Sequence, residues 1–287
     1  MKIARVFPTK TSMTPIDQDA YYDTPGMFMP HYDEVHISCS FTWDTLKARR
    51  LAREWEHIAP VRIGGVAIDG ESDQPFQAGL YLRKGITITT RGCPNNCGFC
   101  IAGNKKFIEF DDFPEGNILQ DNNILACSDH HWRLVVSMLK KQKAIEFKGG
   151  LDKYRLTPEQ ADDLRSLRIK TLWLACDQPQ GIEPLRKAVN ILLNAGFTRN
   201  HLYCYVLIGN NARENIHRLK EVYSIGCMPF AQLYQPGEYT QAWKRLQRRW
   251  ARPMIIRKRV VIRPSTITNC DFVVGEADLD GGIKKEE

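Results

Sequence analysis

From Gly85 onward the chain alternates between short apolar runs and longer segments whose apolar residues recur every three or four positions. Six runs read as strands: Ile86–Thr90, Asn117–Gln120, Ala144–Phe147, Thr171–Ala175, Leu202–Ile208 and Pro229–Leu233. Helical spacing fills most of the gaps, over His130–Lys141, Pro158–Leu167, Glu183–Ala195 and Arg213–Ile225. The third helix opens on Glu183 beside Pro184 and stops at Gly196, a common C-terminal cap. A strand that feeds a crossover helix pairs in parallel with the next strand, so the alternation implies an α/β fold with a parallel sheet, as a barrel or an open sheet. In either form ligands bind at the carboxyl ends of the strands.

Residues 1–84 read as a separate small α/β unit. Ile3–Phe7 is apolar, Glu34–Phe41 alternates as a strand does, and Val61–Gly65 forms a further strand. Between them Leu46, Leu51, Ala52, Trp55 and Ile58 fall at helical spacing within Trp43–Ile58. The polar stretch Asp69–Pro75 marks a boundary ahead of the main unit, residues 85–237.

With 43% hydrophobic and 25% charged residues the composition is that of a soluble globular protein. No run approaches the ~18 apolar residues of a membrane span. The opening MKIARVFPTKTSMTP has no apolar core, so a cytoplasmic protein without a secretory leader is expected. Nine cysteines, an odd number, argue against a disulfide framework in such a compartment. Six are scattered singly, and three crowd into Cys93–Cys100.

The crowded run is Arg91-Gly-Cys93-Pro-Asn-Asn-Cys97-Gly-Phe-Cys100, spaced C-x3-C-x2-C on a loop at the carboxyl end of the Ile86–Thr90 strand. Thiolates are the usual ligands of iron–sulfur clusters. Three of them hold a cubane and leave one iron open, and an open position separates a catalytic metal from a closed structural one. A structural zinc site needs a fourth ligand, for which Cys127, His130 and His131 are the nearest candidates. A non-catalytic iron–sulfur or zinc-binding protein is therefore the alternative to an enzyme.

The cysteine pattern resembles the signature of the radical S-adenosylmethionine (SAM) superfamily, over roughly Gly85–Pro236. The resemblance implies a partial (β/α)6 barrel with Cys93, Cys97 and Cys100 holding a 4Fe–4S cluster. It implies SAM on the open iron, reductive cleavage to a 5′-deoxyadenosyl radical, and an electron donor such as flavodoxin or ferredoxin. Phe99 matches the aromatic residue that often precedes the third cysteine. By strand count Asp121, Asn122 and Asn123 stand where the family contacts the SAM amino group. Lys148-Gly149-Gly150-Leu151-Asp152 is closer in wording to the family's Gly-Gly-Glu segment but follows the third strand and lacks the glutamate. Gly149 and Gly150 there suit close backbone approach to the ligand, or a plain turn. Asp177, after the fourth strand, stands where the family binds the ribose. Ile208 and Gly209, at the end of the fifth, stand where it packs on adenine. The family's downstream glutamate spacing is not kept, because Glu214 falls too late. No residue stands out as a catalytic group, and the substrate is not legible.

Some relatives carry a cobalamin domain ahead of the core, and Val61–Gly65 is faintly similar to one. The D-x-H-x-x-G ligation motif is absent, however, since no glycine follows His36 at that spacing. The residues from 238 to 287 read as a basic extension. Thr240–Arg263 holds nine basic residues and no acid, in a chain of net charge +7. Trp243 and Trp250 share a helical face. The segment reads either as a closing helix packed through its tryptophans or as a contact to phosphate or nucleic acid. The charged stretch Glu276–Glu287 reads as disordered.

Overall fold

The computed structural model describes residues 1–68, 76, 79–100, 102–103, 105–234 and 239–256. The polar boundary 69–75, the stretch 276–287, Cys270, and the basic residues Arg257, Lys258, Arg259 and Arg263 lie outside the described residues. The chain divides into two compact units, Met1–Ile88 with Phe113–Gly116, and Thr89–Asp112 with Asn117–Glu287.

The first unit is a four-stranded parallel sheet of order β2-β1-β3-β4, with β1 at Ile3–Val6, β2 at Ala20–Tyr21, β3 at Glu34–Ser38 and β4 at Val61–Gly64. Its helix α1, Thr45–Trp55, follows a single 3-10 turn at Thr42–Asp44, so the expected helix is shorter at both ends. Ala48, Leu51, Ala52 and Trp55 lie on one stripe of α1 and pack with Ala4, Val6, Val35 and Ile37. Each such Leu or Ile, once buried, contributes about 1.5–3 kcal/mol. His36 is buried on β3, and both ring nitrogens are engaged, one by Glu34 at 2.7 Å and the other by the Tyr81 hydroxyl.

The chain then builds an α/β sheet of six strands, in the order β12-β11-β10-β9-β8-β5. Its strands are β5 at Gly85–Thr87, β8 at Gly116–Leu119, β9 at Ile145–Phe147, β10 at Ile169–Ala175, β11 at Leu202–Ile208 and β12 at Met228–Leu233. From β8 to β12 every neighbouring pair is parallel. All six expected strands are present, with ends moved by a residue or two, and by three where β5 stops at Thr87. The crossover helices also match: α2 at Asp129–Lys140, α3 at Pro158–Arg165, α4 at Ile182–Asn194 and α5 at Ala212–Ile225. Their starts are encoded locally. Ser128 caps α2, Asn211 caps α5, and Thr157 with Gln160 forms a capping box ahead of Pro158 on α3. Gly226, in the left-handed region at φ 117°, ends α5.

Along β11 the buried Leu202, Cys204, Val206 and Ile208 alternate with the half-buried Tyr203, Tyr205 and Leu207. On the Tyr face, Trp173 of β10 stacks on both Tyr203 and Tyr205, with centroids 4.8 and 4.4 Å apart. Neither β2 nor the surroundings of the cysteine run were foreseen. A hairpin of β6, Thr90–Cys93, and β7, Lys105–Glu109, pairs antiparallel around the cysteine run. Cys93 is thus the last residue of a short strand rather than part of a free loop. Helix α6, at Gln241–Trp250, packs against β12. Among the described residues no helix is long and apolar enough to cross a membrane.

Candidate functional site

The expected residues of the second unit collect where a parallel sheet places ligands, just beyond the carboxyl ends of its strands. Asp121–Asn123 follow β8, Gly149–Asp152 follow β9, Asp177 follows β10 and Gly209 follows β11. The cysteine segment leaves the end of β6 and folds back on itself. The Cys100 N–H donates to the Cys97 carbonyl at 2.8 Å, and the Gly103 N–H to the Cys100 carbonyl at 3.1 Å. A Cβ on Gly103 would press on the carbonyls of Asn95, Cys97 and Cys100, all within 3.3 Å, so the segment closes tightly around a glycine. Gly92, at φ 83°, precedes the first cysteine where any side chain would strike the Lys106 carbonyl across the hairpin.

The three thiols differ in exposure: Cys93 is buried, Cys97 is half-buried and Cys100 is exposed. Burial pushes the Cys97 thiol up, and the neighbouring Cys100 and Cys93 push it further, while Lys153 opposes them. Three thiolates gathered here repel one another unless a cation sits among them. Among the described residues no three His, Cys, Asp or Glu side chains converge on a point that suits one metal ion. A single ion demands such convergence. A cubane gives each thiolate an iron of its own, so its ligands spread over a larger body.

A polar network fixes the segment from the other side. The Asn95 amide, between the first two cysteines, donates to Asp152 Oδ2 at 2.8 Å. Asn123 Nδ2 donates to the same oxygen at 2.9 Å and to Cys93 Sγ at 3.4 Å. Arg155 adds an ion pair to Asp152 at 3.4 Å, and the Tyr154 N–H donates to its other oxygen. Asn123 Oδ1 is buried without a hydrogen-bond partner among the described residues. Asn122 Oδ1 accepts from the Gly92 N–H at 3.1 Å. The neighbouring Asp121 turns instead toward the backbone that leads into the hairpin. Its Oδ1 accepts from the N–H and the hydroxyl of both Thr89 and Thr90, while its Oδ2 is buried without a partner. Burial raises the Asp121 pKa above the usual carboxyl range, against the pull of these donors.

Gly149 lets the chain pass close to Asp121, since a Cβ there would collide with the Asp121 carbonyl oxygen. The close approach expected of Gly149 is thus to the protein's own backbone. Gly150 differs: it has φ 94° and open space where a Cβ would stand. None of the fourth ligands considered for zinc forms a metal-holding group with the cysteines among the described residues. His131 Nε2 stands 3.2 Å from the Thr89 hydroxyl, and burial holds its pKa below the usual histidine value. Burial, then the Glu109 charge, pushes the Cys127 thiol up to about 12.

Beside the cysteine segment lies a cavity of about 380 Å3, lined by Phe99, Asp177, Ile208, Gly209, Arg218 and Tyr239 among others. Four of these were expected site residues, and they come together here. Gly209, at φ 134°, is needed because a Cβ would strike the Tyr239 ring. Asp177 Oδ1 accepts from the Leu207 N–H at 2.9 Å, and burial raises its pKa against that bond and the charges of Lys153 and Arg218. Arg218 was not expected. It is buried on α5 and donates to the Leu207 carbonyl at 2.6 Å, to Asn215 at 2.8 Å and to Glu214 at 3.1 Å. Its Nε is buried without a partner among the described residues. The late-falling Glu214 is therefore the counter-ion of Arg218.

No protein-family model matches this sequence, and no curated protein matches it.

Proposed function

We propose that the protein is a radical SAM enzyme that holds a 4Fe–4S cluster on Cys93, Cys97 and Cys100. The observation that carries this reading is the position of the C-x3-C-x2-C segment. It lies beside a ligand-sized cavity, at the carboxyl ends of a parallel sheet, with Phe99 of the segment forming part of the cavity wall. In this reading the sheet is the wall of a partial (β/α)6 barrel. The donor set suits the cluster, because thiols are its usual ligands and three of them leave one iron open. When bound there, the cluster would supply one electron to SAM and so release methionine and a 5′-deoxyadenosyl radical, which takes a hydrogen atom from the substrate.

The chain's own residues divide the remaining work. Asn95, Asn123 and Asp152 set the position of the cysteine segment. Asn123 Oδ1, buried and unpartnered, is the acceptor best suited to the SAM ammonium group. Asp121 Oδ1 holds the backbone ahead of the hairpin, and its Oδ2, also buried and unpartnered, is a further acceptor for that group. Asp177 offers a carboxylate to the ribose hydroxyls, and Ile208 and Gly209 give the adenine an apolar wall and a close backbone. An external one-electron donor of the flavodoxin or ferredoxin kind completes the cycle.

The test is anaerobic reconstitution followed by reduction with SAM. About four irons per chain and formation of 5′-deoxyadenosine are expected, and both should vanish when Cys93, Cys97 or Cys100 is replaced by Ala. Zinc without iron in protein purified under nitrogen would overturn the reading.

A further inference from the structure

Helix α6 carries two faces of opposite character. Ala242, Trp243, Leu246 and Trp250 are buried, so both tryptophans are spent on packing. Away from that stripe stand Lys244, Arg245, Arg248 and Arg249, and Arg252 follows just beyond the helix. Arg245, Arg248 and Arg252 are exposed, while Lys244 and Arg249 flank the buried stripe and are half-buried. None of these five cations has an ion pair or a side-chain hydrogen bond among the described residues. Several cations elsewhere in the same unit are matched to acids, among them Arg186 to Glu183 and Glu221, Lys148 and Lys170 to Glu146, and Arg218 to Glu214. No acid occurs anywhere from Thr240 to Arg263, and the remainder of the chain is slightly acidic.

We infer that the exposed face of α6, with Arg252, binds the phosphate backbone of a nucleic acid, which is then the substrate. The inference deepens the radical SAM reading and rests on it only for calling the bound strand a substrate. Three observations select this partner. Cations on one face with no acid partner among the described residues are the footprint of a polyanion, which relieves the self-repulsion among them. Four of the five are arginines, whose planar fork matches phosphate oxygens in a way a lysine does not. A membrane surface fits poorly, because an interfacial helix must offer its apolar face to lipid, and here that face is already covered. The placement also suits a substrate. Tyr239 lines the cavity and is followed directly by Thr240, the N-cap of α6, so a strand held on the helix lies next to the cavity wall.

The experiment is fluorescence anisotropy of the reconstituted full chain with labelled single-stranded and duplex RNA and DNA, between about 50 and 200 mM salt. Binding should weaken steeply with salt, at a log–log slope of about −0.7 to −0.9 for each phosphate contacted. The triple variant R245Q/R248Q/R252Q should lose about two to three units of that slope and bind at least tenfold more weakly at the lower salt. These side chains are exposed and have no ion-pair or hydrogen-bond partner among the described residues, so the variant should still load iron and keep its circular dichroism. Arg248→Gln alone should lower the slope by nearly one unit, whereas Lys187→Gln, exposed on α4, should leave it unchanged. Wild-type protein that ignores every oligonucleotide at the lower salt overturns the inference. So does binding that the triple variant retains in full, or capture by phosphatidylserine vesicles in place of oligonucleotides. Failure of the radical SAM reading would look different: oligonucleotide binding would persist in a chain that makes no 5′-deoxyadenosine.

Discussion

Asn123 Nδ2 stands 3.4 Å from Cys93 Sγ and donates to it. A hydrogen bond to a ligating sulfur favours the more electron-rich, reduced state of a cluster. If the bond is worth about 1 kcal/mol more to the reduced form, it raises a one-electron potential by roughly 40 mV. Asn123→Ala should therefore lower the cluster midpoint by about that amount in a titration followed by electron paramagnetic resonance. An unchanged midpoint in an iron-loaded variant would show that the bond plays no part in tuning.

Adjacent glycines should respond differently to the same substitution. Gly149→Ala places a methyl group on the Asp121 carbonyl, and the cost of such overpacking is about 1–3 kcal/mol or more. Gly150→Ala meets only open space and carries the penalty of a left-handed backbone, about 1–2 kcal/mol. Urea unfolding should rank Gly149→Ala as the more damaging change. Iron content should fall with it, because Asp121 and Asn123 leave the same strand end.

Asp121 gives a pH signature. Burial lifts its pKa above the ordinary 3.8, so the folded chain holds this proton more tightly than the unfolded chain does. The resulting stabilisation is complete below the unfolded pKa and is lost as pH rises through the folded value. Asp121→Asn cannot titrate and still offers Oδ1 to Thr89 and Thr90. It should match wild type in acid and gain on it toward neutral pH. Asp121→Ala strands the buried donors of both threonines and should cost about 1–3 kcal/mol for each unsatisfied group. Chemical denaturation of the three proteins at mildly acidic and neutral pH would check both statements.

Asp177→Ala removes a carboxylate from the cavity wall. SAM affinity should fall by roughly 1.5–3 kcal/mol, the usual worth of a charged hydrogen bond, with iron content unaltered. Isothermal titration of the loaded, unreduced protein reads this directly. Equal affinity would take Asp177 out of the cofactor site.

The order of strands and helices was legible because each parallel strand is a compact apolar run, and caps such as Ser128 and Thr157 mark where helices begin. The β6–β7 hairpin was not legible. Its two strands show no clean alternation, and its register slips between Arg91 and Cys93. Asp177, Ile208 and Gly209 could be placed by counting strand ends against the pattern the chain resembles, and Phe99 by its place before Cys100. The role of Asp152 could not, since it meets Asn95 across 57 residues of sequence and no local pattern records that meeting. Arg218 did leave a trace. Together with Asn215 it falls on the same helical stripe as the buried Leu219, Val222 and Ile225, and a polar side chain on such a stripe must find partners inside.

The Leu207 peptide is gripped on both sides, its N–H by Asp177 and its carbonyl by Arg218. Asp177 thus receives a donor that a longer β10 would otherwise have bonded through its main chain. In hydrogen-exchange terms the Leu207 amide depends on one carboxylate rather than on the sheet ladder. Its deuterium uptake should rise in Asp177→Ala while Tyr205, which pairs with Ala175 inside the ladder, keeps its protection. A single amide of β11 is therefore a solvent-accessible report on how firmly the cavity wall is held, readable without any turnover.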